Sequence, residues 1–353
     1  MGQFLFGDLF LGSGGGLPPL VQDIGVCLVV AGVLSVIFTR LKIPNIAAFL
    51  AAGVIVGPVV GRIVTDPGNI GTIAGLGLVL LLFLIGLEID LRKLLSSGKT
   101  LILSGLLQFP LCVGFGLAVA YGFQALGWDA FTGKYVPLYV GFITAASSTL
   151  LVVKLFQDKG QLDTLVGRVS LGILIFQDIW AIVVLAVQPN FANPELGTVG
   201  LTFLGIGIVT VVAVLLAKYV LPVAFKWISM VPELMLVAAA GWCFGLGFFG
   251  MHIGTILEQV GIHLHISVSM EMGALIAGAS IASFPYSHEV NAKVGNVRDF
   301  FVTLFFVALG MGIPKPEGMT VILMALALAG ISIAARYIVF FPLMYFTGMD
   351  RRN

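Results

Sequence analysis

Eleven runs of mainly apolar residues follow one another with only short connections between them. They cover roughly 20–39, 44–60, 69–88, 100–124, 136–155, 164–187, 196–221, 232–250, 267–284, 299–314 and 319–346, each close to the ~20 residues a helix needs to cross a bilayer. No water is available in the hydrocarbon core to satisfy a backbone, so runs of this length predict helices. The fold class is therefore expected to be an all-α polytopic membrane protein with eleven transmembrane spans. Composition agrees: the chain is 59% hydrophobic and 10% charged, with a mean hydropathy of +1.10. A water-soluble domain could not bury so much apolar surface. The 45 glycines suit helices that pack backbone to backbone in lipid. None of the connections could hold a soluble domain, so residues 20–353 read as one membrane domain, preceded by an extracytoplasmic Gly/Pro leader at 1–19. That leader lacks the basic start of a cleaved signal peptide, and Phe6 stands where a myristoylation signal needs Ser or Thr.

The basic residues set the expected orientation. With eleven spans, Arg40, Lys42, Arg92, Lys93, Lys99, Lys154, Lys159, Arg168, Lys218, Lys226, Lys293, Arg298, Arg351 and Arg352 all fall on one side. Only Arg62, Lys134 and Lys315 fall on the other, and Arg336 lies inside the last span. The Lys/Arg-rich side is the cytoplasmic one, so the N-terminus is expected outside and the C-terminus in the cytoplasm of a cell membrane. Cys27, Cys112 and Cys243 all sit within apolar runs, which argues against a disulfide framework.

An ionisable group inside a span is costly unless it is paired or hydrated, so each one is a functional candidate. Asp178 lies deep in the sixth run, between ILIFQ and IWAIV. One carboxylate there can hold a proton or a cation in turn, which is what exchange of the two requires; a buried Asp locked in a helix–helix hydrogen bond would read the same way. Gln177 precedes it, about 100° around the helix, and suits coordination or capping. The fifth run carries Thr144, Ser147, Ser148 and Thr149, hydroxyls that can stand in for freed backbone partners where a helix breaks. A small-residue packing seam is the competing reading of that stretch. Arg336 is the one basic residue at mid-span and calls for a counter-charge, with Asp178 and Glu271 as the carboxylates available. Glu271 reads first as solvated near a span end, and Glu88 as a cytoplasmic helix end beside Asp90 and Arg92. His252, His263 and His265, placed by the run boundaries in an outer loop, show no metal-ligand spacing. No phosphate-cradling, dinucleotide or zinc-protease motif occurs, so an enzyme is not expected.

Several ordered segments together resemble the second family of monovalent cation/proton antiporters, closest to its Kef-type potassium/proton branch. They are GLVLLLFLIGLEIDLRKL (77–94), ASSTLLVVKLF (146–156), LGILIFQDIWAIVVLA (171–186), MGALIAG (272–278) and RDFFVTLFFVALGMGI (298–313). The resemblance runs from about residue 20 to the end. It implies a sodium/proton-antiporter-like fold of inverted repeats and broken helices, with a dimerisation part and a core part. In FQD, it makes Asp178 the cation- and proton-carrying carboxylate, and Gln177 at the first position implies electroneutral exchange that leans towards K⁺ over Na⁺. It makes Thr144, Ser147, Ser148 and Thr149 part of the first broken helix at the cation site, and puts Arg336 where the family usually has Lys.

The resemblance also implies what surrounds the chain. The family's thirteen spans leave two to come after TGMDRRN, a GEF-containing helix and a second broken helix, so the expectation is a fragment, a split gene or an incomplete ion site. GMHIGTILEQVGIHLHIS is longer than the family pattern. The expected partners are membrane lipid, a second copy of the chain, and a separate cytoplasmic regulatory subunit or domain, with no nucleic acid. No cofactor is expected; K⁺ or Na⁺ and H⁺ are cargo, moved by alternating access. Two further readings remain open: a channel-like cation efflux pathway, and a non-transporting membrane sensor or scaffold.

Overall fold

In a computed structural model of the chain, the described residues are 18–88, 99–128, 131–147, 152, 156, 161, 164–188, 191, 196–228, 232–259, 261, 266–282, 287–316 and 318–346. All their regular structure is helical. The helices are α1 (Pro19–Arg40), α2 (Asn45–Val56), α3 (Pro67–Glu88), α4 (Lys99–Ala125), α5 (Val136–Ala145), α6 (Leu165–Val187), α7 (Leu196–Tyr219), α8 (Leu221–Ile228), α9 (Pro232–Gln259), α10 (Met270–Ala282), α11 (Ser287–Met311) and α12 (Met319–Phe346). Among the described residues, six helices are long and apolar enough to cross a membrane, and five shorter ones are also apolar. These coincide, one for one, with the eleven runs of the sequence.

The differences lie at the ends of elements. The second run stops as helix at Val56, and the backbone turns through Arg62 with φ 51°. The fifth run is not one span-length helix: α5 ends at Ala145, and Ala146 is extended with φ −74° and ψ 142°. The helix of the eighth run, α9, extends past that run to Gln259, so His252 is helical, exposed, and bonded through Nδ1 to the Phe248 carbonyl at 2.9 Å. Val268 N–H donates back to the Gly250 carbonyl at 3.0 Å, and residues 266–269, without regular structure, lead into α10. His263, His265, Ser148 and Thr149 lie outside the described residues.

The described backbone forms two compact units. The first holds residues 1–90 and 192–315, the second 91–191 and 316–353. In the first, α3 packs on α10 and α11, α2 on α1 and α11, and α9 on α10. Glycines let these backbones meet. A Cβ on Gly278 of α10 would overlap the Phe83 carbonyl of α3 and come 2.9 Å from Gly86 Cα. Gly53 and Gly310 stand in the same relation between α2 and α11, as do Gly247 and Gly273 between α9 and α10. Small residues at such crossings are what replaces the hydrophobic effect as the packing force in lipid. The same unit holds an apolar cluster of Val56, Ile73, Leu304, Val307 and Met311.

In the second unit, α4 is central, flanked by α5, α6 and α12. Gly116 of α4 lies against Gly141 of α5, and Gly105 and Gly172 seat α4 against α6. Pro110 interrupts the ladder of α4, since it has no N–H to offer the carbonyl four residues back. That carbonyl, of Leu106, instead accepts the indole N–H of Trp180 on α6 at 3.1 Å. Phe109 stacks on Trp180 and on Phe142 of α5, closing the three helices together.

Candidate functional site: a polar chain at the broken helix

The polar side chains of the second unit converge where α5 stops. A helix end leaves its last carbonyls without intrahelical donors and carries the negative end of the helix dipole. The Arg336 guanidinium of α12 takes that position. Its Nη2 donates to the Ala145 carbonyl at 3.3 Å and to the Ala146 carbonyl. In the hydrogen bonds described for this guanidinium the acceptors are a pair of neutral backbone carbonyls. Glu271, one of the two carboxylates named for it, belongs to the first unit, in the opening turn of α10.

From the break a hydrogen-bonded chain runs inward. Ser147 Oγ donates to Gln177 Oε1 on α6 at 2.6 Å. Gln177 Nε2 donates to Gln108 Oε1 on α4 at 2.6 Å, and Gln108 Nε2 donates to Cys112 Sγ one turn on at 3.2 Å. Thr144 Oγ1 donates to the carbonyls of Gly141 at 2.8 Å and Cys112 at 3.2 Å, tying the last turn of α5 to α4. Gln108, Thr144 and Gln177 are all buried. Buried polar groups persist in such a place only if bonded, so the chain fixes how the three helices register.

A cavity of about 290 Å³ opens against this chain, lined by Ser147, Ser170, Gln177, Arg336, Tyr337 and Phe340 among others. It offers hydroxyl and amide oxygens beside a fixed positive charge. Asp178 is half-buried on α6, one residue beyond Gln177; among the described residues, those lining the cavity include Gln177 but not Asp178. The structure thus brings together Thr144, Ser147, Gln177 and Arg336, with Asp178 adjacent in sequence. It adds Gln108, Cys112 and Trp180, to which the sequence alone assigns no role. The signal for Gln108 was present: an amide in the middle of an apolar run, two residues before a proline.

A helical fold with span-length apolar helices, a broken helix and bonded polar groups among them defines the class, a polytopic helical membrane protein. Residues 25–353 match the sodium/hydrogen exchanger transmembrane family, and the chain belongs to that family. Curated relatives include the glutathione-regulated potassium-efflux system protein KefC of Escherichia fergusonii and of several Escherichia coli strains, each 32% identical over 289 residues. That alignment takes in 80% of this chain and 43% of the relative, so the chain spans less than half the length of the curated relatives it matches. Among solved structures, the sodium proton antiporter MjNhaP1 of Methanocaldococcus jannaschii at pH 8 superposes with a TM-score of 0.62. It is 19% identical, with 94% of this chain and 80% of that one covered, a likeness of fold. The protein is therefore an integral membrane protein of the sodium/proton-antiporter fold.

Proposed function

We propose that the chain exchanges a monovalent cation for protons by alternating access, with Asp178 as the carboxylate for which the two compete. The observation that carries this reading is the hydrogen-bonded junction of the broken helix with α6, Ser147 to Gln177, next to an intramembrane Asp. Ser147 and Gln177 supply neutral oxygens for a cation that has shed water, and Thr144 holds the helix end that frames them. Ser148 and Thr149, outside the described residues, extend the same hydroxyl cluster in sequence. K⁺ is favoured over Na⁺ on two grounds: Gln177 fits the Kef-type pattern, and the named relatives are potassium-efflux proteins. Arg336 cannot shed its proton as a Lys could, so its role is to hold the helix break and bias the local field.

One carboxylate serving one proton and one monovalent cation moves no net charge per cycle. The purified protein in liposomes should acidify or alkalinise the lumen in response to a K⁺ or Na⁺ gradient, without steady current on a solid-supported membrane. A current that follows voltage, with flux that does not saturate, identifies a channel; no flux at all identifies a sensor or scaffold. The Lys/Arg distribution supports an N-terminus outside and a C-terminus in the cytoplasm of the cell membrane. A homodimer and a separate regulatory subunit or domain follow from the family reading, and cross-linking in native membranes tests both.

A further inference from the structure

We propose that Gln108 is a positioning residue: it fixes which end of the Gln177 amide meets the cavity, so that an incoming monovalent cation finds a carbonyl oxygen there and not an N–H. The inference rests on the exchanger reading above.

An amide side chain has two ends of similar shape and opposite sense, so something must choose between them. Ser147 cannot choose for Gln177, because a hydroxyl donates or accepts equally well. Gln108 can. Its Oε1 sits 2.6 Å from Gln177 Nε2, and turning the Gln177 amide over would set two carbonyl oxygens against each other with no proton between them. Both amides could turn together only by placing Gln108 Oε1 on Cys112 Sγ, leaving a thiol, a weak donor, to hold the pair. Gln108 itself is 1% exposed and is not among the residues lining the cavity, so it reaches a cation there only through Gln177. In the orientation it imposes, Gln177 Oε1 lies on the Ser147 side, where it takes one hydrogen bond and keeps a second lone pair. Without Gln108, the amide turns freely and presents N–H to a cation in a share of molecules, which weakens binding without touching the proton-carrying Asp178.

The test is exchange kinetics in proteoliposomes, with K⁺ and Na⁺ each as the cation probe. Gln108→Met keeps volume and removes the acceptor; KM for the cation should rise about tenfold, the scale of one hydrogen bond, while kcat stays within about twofold. In a Gln177→Met background the same substitution should change KM by less than about twofold, because Gln108 acts only through Gln177. Gln108→Glu, whose side chain faces Gln177 with oxygens alone, should leave KM at or below the wild-type value. Should Gln108→Met fail to fold, Cys112→Ala is the second variant: it frees the Gln108 amide to turn and should raise KM in the same direction. The inference is overturned if Gln108→Met exchanges with wild-type KM, or if its effect is undiminished without the Gln177 amide. Absence of exchange by the folded wild type is a different result: it overturns the exchanger reading itself, and this inference with it.

Discussion

Arg336 is where charge and backbone geometry meet in this protein. Its guanidinium serves the Ala145 and Ala146 carbonyls at the end of α5, a place where a cation is favoured by the helix dipole. Arg336→Ala leaves those carbonyls without their donor, and the cost should be about 1–3 kcal/mol. Arg336→Lys restores the charge without the planar fork and should recover part of that loss. Melting temperatures in detergent decide it: wild-type melting of the Ala variant would mean the guanidinium does not hold the break. The residues of this junction were unevenly legible in the sequence. Asp178, Gln177 and Arg336 stand out because polar groups are rare in apolar runs. Gln108 stands out less, since a neutral amide draws little notice and its partner lies 69 residues away. The carbonyls facing Arg336 have no sequence signature at all, because any residue supplies a carbonyl where a helix stops.

At the scale of elements, the existence of the helices was readable, and the hydroxyl-rich stretch 144–149 marked where the fifth run could break without fixing the residue at which it stops. Every apolar run became a helix, since length and hydropathy leave the backbone no other way to satisfy itself in lipid. The stop at Ala145 depends on contacts from α4, α6 and α12 that periodicity cannot anticipate. Glycine content likewise foretold close helix crossings without naming the pairs. The Gly86–Gly278 crossing of α3 and α10 gives a direct check. Gly86→Ala would drive a methyl into the Leu275 carbonyl and within 2.8 Å of the Ala279 nitrogen, whereas Gly75→Ala on the same helix meets nothing within 4 Å. The first should destabilise by about 1–3 kcal/mol through overpacking, and the second should not. Equal melting temperatures for the two variants would mean α3 and α10 do not pack this way.

For the whole molecule, the charge asymmetry makes a claim that labelling can test. Lys42 and Lys134 are both exposed and fall on opposite sides of the expected topology. In intact cells, an impermeant thiol reagent should label a Lys134→Cys variant and spare Lys42→Cys; the reverse pattern inverts the orientation. The central claim concerns Asp178. Asp178→Asn keeps size and polarity but can neither hold a transferable proton nor neutralise a cation. Measured in proteoliposomes under an imposed K⁺ or Na⁺ gradient, the variant should show only the pH change of protein-free vesicles, while wild type exchanges and both proteins melt alike. Wild-type exchange by the Asn variant would contradict the account.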